Sequence, residues 1–273
     1  MIEVGLSETQ KVSLNILKQI TKICDKMGLR YYLMYGTLIG AIRHNGFIPW
    51  DDDLDIMMPR DDHDKLINYL ISNPEVIRHF EVYNHQVNNK YPYMITRIGD
   101  KRYWIDVENE DDYGIGVFID IYPFDGLGNT EKEAIKNGLK GDRLSSLCYQ
   151  STRQHFAIEN TKSNFRKLIK KPIFFISKII GKDYFQNKLS SYINILPYDK
   201  SKYVGCVVWL SGGEKDIFLR EWFNEFEYVK FEDDFFKVPK DYNQILTHIY
   251  GDYMTLPPLN ERIAHHNYTT YKK

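Results

Sequence analysis

YGTLIGAIRHNGFIPWDDDLDIMMPR, residues 35–60, decides how the rest of the chain reads. A Gly-Thr pair, Gly36-Thr37, stands ahead of four aspartates in five positions: Asp51, Asp52, Asp53 and Asp55. Carboxylates this close repel and raise one another's pKa, so the cluster is costly to fold. It is no solvated acidic tail, because Leu54, Ile56, Met57 and Met58 run straight out of it. Asp53, Leu54, Asp55 and Ile56 alternate as a strand does, with both carboxylates on one face. Two carboxylates at a strand end suit a hard divalent cation with oxygen ligands, Mg²⁺ first and Mn²⁺ as the alternative. Mg²⁺ held this way commonly takes a phosphate as a further ligand, so the segment implies metal-assisted phosphoryl chemistry.

On the N-terminal side, Val12, Ile16, Leu17, Ile20, Ile23, Cys24 and Met27 predict a helix over 8–27, with Ser7 as its N-cap and Gly28 as its stop. A strand over 31–34 leads into Gly36-Thr37, and a short helix covers 38–43. On the C-terminal side a helix is expected over 61–70. Strands follow at 80–83, 93–98, 104–107 and 116–122, the last closed by Pro123. The character then turns helical, with helices over 131–154 and 164–180. A strand at 203–209, a turn at Gly212-Gly213, a helix at 242–250 and an extended tail complete the chain. This order implies an α+β fold, a mixed β-sheet core flanked by helices and carrying a helical insertion. The division expected is a catalytic core over 1–129, a helical region over 130–200 facing membrane or acceptor, and a segment over 201–273 packing back on the core.

Metal-assisted phosphoryl transfer needs a third carboxylate. Asp120 in GVFIDIYPFDG is the candidate, set between Ile119 and Ile121 at the tip of a buried strand. Asp106 in WIDVE ranks below it, because Glu108, Glu110, Asp111 and Asp112 mark an exposed loop. Asp53, Asp55 and Asp120 then serve as metal ligands and catalytic groups, with Asp120 accepting a proton from the attacking hydroxyl. Gly36 lets the backbone approach a phosphate, and the Thr37 hydroxyl can donate to a phosphate oxygen. Arg43 and Arg97 are candidate bidentate partners for phosphate, with a structural salt bridge as the even alternative. His44 reads as a loop residue. Asp51 and Asp52 read as groups that tune the metal site or bind backbone amides, ahead of a direct ligand role.

The 273 residues are enough for one large domain or two small ones. Lys and Arg number 36 against 37 Asp and Glu, which excludes a general nucleic-acid-binding field. The cysteines, Cys24, Cys148 and Cys206, have no CxxC spacing and read as reduced core thiols. The polar start, MIEVGLSETQ, lacks the apolar region of a signal peptide, and no stretch reaches the roughly 18 apolar residues of a membrane span. A cytoplasmic protein is therefore expected. Residues 162–182 hold seven basic residues and no acidic one, interleaved with apolar residues such as Phe174, Phe175, Ile176, Ile179 and Ile180. That segment suits a helix on an anionic membrane at the inner face of the cell membrane, or a core helix with a basic solvent face.

Gly36-Thr37, WDDDLDIMMPR, FIDIYPFDG, YGDYMTLPP and the closing Arg262, His265 and His266 together resemble the LicD family of the nucleotidyltransferase superfamily, related to fukutin and the fukutin-related protein. The motifs span residues 35–266. The resemblance implies a nucleotidyltransferase-like core and a phosphotransferase moving a phospho-alcohol, typically phosphocholine from CDP-choline, onto a cell-surface glycan such as teichoic acid, lipopolysaccharide or capsule polysaccharide, with release of CMP. It places the superfamily's Gly-Ser-like element on Gly36 and Thr37 and its three acids on Asp53, Asp55 and Asp120. Glycerol, ribitol and ethanolamine stay open as donor alcohols, as do a lipid-linked acceptor, a true nucleotidyltransferase and a non-catalytic binding module. One of His265 and His266, with Arg262, is a substrate candidate. A choline group needs an aromatic cage, for which Trp50 is favoured over Tyr35, Tyr93, Trp104 and Tyr122 because it adjoins the aspartates.

Overall fold

The computed structural model describes residues 1–156, 164–193, 196–209, 212–263 and 268–273, without the side chains of 164–169. The strands are β1 (Ile2–Glu3), β2 (Tyr32–Leu33), β3 (Asp55–Pro59), β4 (Phe80–Tyr83), β5 (Thr96–Asp100), β6 (Tyr103–Val107), β7 (Val117–Gly128), β8 (Tyr203–Gly205), β9 (Phe218–Leu219), β10 (Phe226–Phe231), β11 (Asp234–Pro239) and β12 (Tyr268–Lys272). The helices are α1 (Leu6–Met27), α2 (Tyr35–Ile39), α3 (Arg60–Ser72), α4 (Glu131–Thr152), α5 (Asn164–Ile180), α6 (Lys182–Ile193) and α7 (Tyr242–Tyr250). This is the expected α+β fold.

The central sheet runs β2-β3-β7-β5-β4, with β8 and β9 extending from the far half of β7. β3 and β7 pair in parallel, and the other pairings are antiparallel. A second sheet, β1-β12-β6, ties both ends of the described chain to the core, and β10-β11 is a hairpin. Ile56, Met57 and Met58 on β3 and Ile119 and Ile121 on β7 are fully buried, as strands covered on both faces require. At the start of α3, Arg60 forms two 2.8 Å hydrogen bonds with Asp125 of β7, both side chains buried.

α1 buries Val12, Ile16, Leu17, Ile20 and Cys24 on one stripe, the 3–4 spacing of an amphipathic helix. Its N-cap is Gly5 rather than Ser7, which lies inside the first turn. Gly28, in the left-handed region at φ +68°, closes it as expected. The short helix expected over 38–43 begins earlier, as α2, and continues into a π turn at Gly40–His44.

Pro123 does not end its strand, because β7 continues to Gly128. The Asp120 N–H points toward β3, where it bonds Leu54 O at 2.8 Å, so by alternation the Pro123 nitrogen faces the opposite edge. There β5 has ended opposite Ile121 and β8 has not begun until Asp125, so no ladder bond is lost. The strand expected over 93–98 starts at Thr96, because Tyr93 instead packs its ring against Tyr149 and Trp209. The strand expected over 203–209 stops at Gly205. α6, the β10-β11 hairpin and β12 were not anticipated. Cys24, Cys148 and Cys206 are buried and free.

Candidate active site

The site lies where β3 and β7 emerge side by side. Their register sets Asp55 directly opposite Asp120. On the other side of β7, Arg97 of β5 stands opposite Asp120 and its Nε donates to Asp120 Oδ1 at 2.8 Å. The Arg97 guanidinium is held between the rings of Phe118, 4.2 Å away, and Tyr93, 4.7 Å away. Arg97, a phosphate candidate from sequence, is thereby engaged as the counter-ion of Asp120, with only its remaining N–H groups left for a substrate.

β3 begins at Asp55, so Asp53 precedes the strand rather than lying in it. The acidic loop is fixed through its backbone: Asp51 N–H bonds Ile48 O at 2.9 Å, and Gln10 of α1 donates to Asp51 O at 2.8 Å. One carboxylate oxygen from each of Asp51, Asp52 and Asp53 falls within 4.8 Å of the others. Asp52 also receives a hydrogen bond from the Tyr268 hydroxyl of β12. Asp106, the rival third carboxylate, is exposed on β6, opposite Thr269.

The Gly-Thr element is built into this cluster. The Thr37 hydroxyl accepts the Asp55 N–H at 2.8 Å, which leaves its own proton to donate. At Gly36 a Cβ would meet Asp51 Oδ2 at 2.8 Å, so any side chain there would have to displace the Asp51 carboxylate. Just before it, Tyr35 takes φ +52°, an uncommon conformation for a bulky residue. The bonds on either side hold it: Met34 N–H to Asp55 O at 3.0 Å and Leu38 N–H to Met34 O at 3.1 Å. The result turns the Tyr35 ring edge-on to Tyr122, two residues beyond Asp120, at 5.1 Å.

Electrostatics mark Asp55 as the strained group. Burial first, then Asp53, Asp120 and Asp51, raise its pKa well above the ordinary carboxylate range, with Arg97 opposing them. Its Oδ1 is buried with no hydrogen-bond partner among the described residues. An orphaned carboxylate oxygen beside further carboxylates is the environment a divalent cation completes, and the all-oxygen donor set fits Mg²⁺ or Mn²⁺.

Two further groups surround the carboxylates. Arg43, Trp50 and Arg262 converge, with the Arg262 guanidinium 5.5 Å from the Trp50 ring and His44 edge-on to that ring at 6.3 Å. Arg43 donates to Tyr253 O at 2.6 Å and Arg262 to Pro257 O at 2.9 Å. Burial and then the Arg262 charge lower the Arg43 pKa, so an anion between the two guanidiniums would relieve the repulsion. The second group is tyrosine. Tyr250, at the end of α7, keeps 43% of its surface exposed. Its phenol is pushed above its usual pKa by burial and then by Asp55, Asp216, Asp51 and Asp53. The Tyr35 phenol is pushed up as well, by burial first and then by Asp216, Cys206, Asp55 and Tyr250. Tyr35, Tyr122, Tyr250 and the buried Asp216 therefore gather beside the acidic loop.

The chain is similar over 99% of its length to the lipopolysaccharide cholinephosphotransferase LicD of Haemophilus influenzae, at 34% identity and covering 99% of that protein. The chain belongs to the LicD family. The family model for the LicD/FKTN/FKRP nucleotidyltransferase domain matches residues 28–138, which hold β2, β3, β5 and β7 with Thr37, Asp55 and Asp120. An uncharacterized protein of Rickettsia typhi is 29% identical over 48% of this chain and 40% of its own length. One of Rickettsia prowazekii is 32% identical over 30% of this chain and 28% of its own length.

Of the expected site residues, the structure brings Gly36, Thr37, Asp53, Asp55 and Asp120 together, and Arg43, Trp50 and Arg262 together. His265 and His266 lie outside the described residues. Trp104 stacks on Tyr271 of β12, and Tyr93 lies under Arg97, so each has another task than a cage. Sequence reasoning missed Tyr250, Tyr268 and Asp216. Tyr250 opens the YGDYMTLPP motif, a signal that was present without a chemical role attached.

Proposed function

We propose that this LicD-family chain is a phosphotransferase that moves phosphocholine from CDP-choline to a hydroxyl of a lipopolysaccharide-type glycan and releases CMP. The observation that carries the reading is the Asp55–Asp120 pair across parallel strands, beside Asp51–Asp53 and a tyrosine cluster with its own buried acid. The end-to-end similarity to a lipopolysaccharide cholinephosphotransferase supports it.

In this reading Asp53, Asp55 and Asp120 would hold Mg²⁺, with Asp51 and Asp52 beside them. Bound there, the cation would neutralise phosphate charge and acidify an attacking hydroxyl. Arg43 and Arg262 bind the phosphate and nucleotide end of the donor, and Trp50 offers its ring beside them. Tyr35, Tyr122 and Tyr250 present ring faces to the quaternary ammonium, with Asp216 supplying negative charge nearby. The acceptor oxygen attacks the choline-bearing phosphorus, and a bond forms from that oxygen to phosphorus. The bond from that phosphorus to the oxygen bridging it to CMP breaks, and CMP leaves. The acceptor proton passes to the Asp120 oxygen not engaged by Arg97.

The test is ³¹P NMR of the purified chain with CDP-choline, Mg²⁺ and lipopolysaccharide oligosaccharide, with EDTA and acceptor-free controls. CMP together with a new phosphodiester, dependent on both metal and acceptor, is expected. A nucleotide-linked product with release of pyrophosphate from a nucleoside triphosphate would instead make the chain a nucleotidyltransferase.

A further inference from the structure

α5 is built inside out. Among its residues with described side chains, only Phe174 and Ser177 are buried, and these make the stripe that faces the protein. Phe175, Ile176 and Ile179 cover the opposite side, Ile173 and Ile180 the adjoining flank, and Tyr184 of α6 is exposed as well. Ile179 is 86% exposed, Ile176 55% and Phe175 52%. A helix on a water-facing surface carries its charges there; this one carries isoleucine and phenylalanine. Isolated exposed apolar residues are ordinary, but a contiguous helical face of them marks a contact surface.

The lysines complete the pattern. On the helical wheel Lys171 and Lys178 fall along one edge of the buried stripe, Lys178 donating to Arg153 O at 2.8 Å, while Lys170 lies one turn before Phe174 in line with the stripe. Lys182 is tied to Asn89 O. Residues 162–182 carry no acidic group at all. An apolar face with cations along one edge and a wholly basic segment around it lets lysine heads reach lipid phosphates while their stems and the isoleucines sit lower. No helix among the described residues is long and apolar enough to cross a membrane, so α5 would lie along a surface and not through it.

We propose that α5 docks flat on an anionic lipid bilayer, with Ile173, Phe175, Ile176, Ile179 and Ile180 seated at the headgroup–acyl boundary. Charge selects this occupant over a second copy of the chain. The segment 162–182 carries seven basic residues and no acidic one, so a second copy of the same face brings like charge to it, whereas anionic headgroups complement it. The inference stands apart from the donor chemistry, since it uses none of the site residues.

The test is flotation of the full-length chain with vesicles of equal parts phosphatidylglycerol and phosphatidylethanolamine, with pure phosphatidylcholine vesicles for comparison. The wild type is expected to float with the anionic vesicles and to be released by high salt. The Ile176→Ser/Ile179→Ser variant, altered only at exposed positions, should lose about tenfold or more in partitioning while keeping its helical circular dichroism. A wild type that stays in solution, or a variant that floats as well as the wild type, overturns the proposal. So does a dimer that the double substitution dissolves when neither protein binds vesicles, which would give the face to a second copy.

Discussion

Asp55 and Asp120 face each other across the parallel pairing of β3 with β7, yet the only guanidinium in register with them among the described residues, Arg97, belongs to Asp120. Asp55 is left with a buried oxygen that has no partner among the described residues and with carboxylates for neighbours. The asymmetry divides the pair into a carboxylate balanced by the protein and one that awaits charge from outside it.

Asp55→Asn should therefore stabilise the metal-free protein while abolishing turnover. Burial and the neighbouring carboxylates raise the Asp55 pKa, so the unfolded state ionises first. Stability is then lost as pH rises above the ordinary carboxylate range, and the amide lacks that loss. A gain of about 1–2 kcal/mol near neutral pH is expected in urea unfolding, with a fall of about a thousandfold or more in kcat/KM. Mg²⁺ should raise the Tm of the wild type and not that of the variant. A variant less stable than the wild type would remove the strain assigned here to Asp55.

Arg97→Ala should act in the opposite direction. It strips a buried carboxylate of its counter-ion and opens a gap between Phe118 and Tyr93. Breaking such a pair costs about 3–5 kcal/mol. Arg97→Lys keeps the charge but not the planar group between two rings, and should fall between alanine and wild type. Urea unfolding of the three proteins decides the matter, because an arginine that served only substrate would leave stability unchanged when replaced.

The difference between these two residues shows what the sequence could tell. The apolar run from Leu54 onward and the isoleucines around Asp120 located Asp55 and Asp120, because strand period and burial are local properties, whereas the alternation extended to Asp53 did not hold, since β3 begins at Asp55. Register is not local. That Asp55 meets Asp120, and that Arg97 is spent on Asp120, depends on a parallel pairing between segments more than sixty residues apart. Pro123 misled for the same reason, since its cost depends on whether a neighbouring strand needs that N–H. Tyr250, Tyr268 and Asp216 come from distant elements whose side chains carry no spacing that points to Asp55. The LicD motifs gave the family at once, and the geometry then supplied which groups touch.

The tyrosine cluster predicts donor selectivity. Tyr250→Ala removes the most exposed ring of the Tyr35, Tyr122 and Tyr250 set, and Tyr250→Phe keeps the ring. If that set holds the quaternary ammonium, Tyr250→Ala should raise KM for CDP-choline by about tenfold, with Tyr250→Phe near the wild type. The alanine variant should then discriminate less between CDP-choline and CDP-ethanolamine. Equal losses with both donors would assign Tyr250 to packing instead.

The acid limb of stability should report His85, in the turn after β4. Its Nδ1 is buried without a hydrogen-bond partner among the described residues, and burial, then Arg60 and His63, lower its pKa to about 4. The buried His63 is lowered as well, chiefly by burial, with Asp64 at 2.8 Å on one nitrogen and Thr96 at 2.9 Å on the other. An unfolded histidine takes its proton near 6.5, before the folded one does. Stability is therefore intact above that value, falls as pH drops from about 6.5 toward 4, and loses nothing more to this group below. The full shift is discounted because His85 is partly exposed, which leaves about 1–2 kcal/mol between pH 7 and the acid end. His85→Gln should flatten the corresponding part of the slope in urea unfolding at pH 7 and pH 5, and His63 should keep the remainder. An unchanged slope in the variant would mean that the folded His85 takes its proton as readily as the unfolded one.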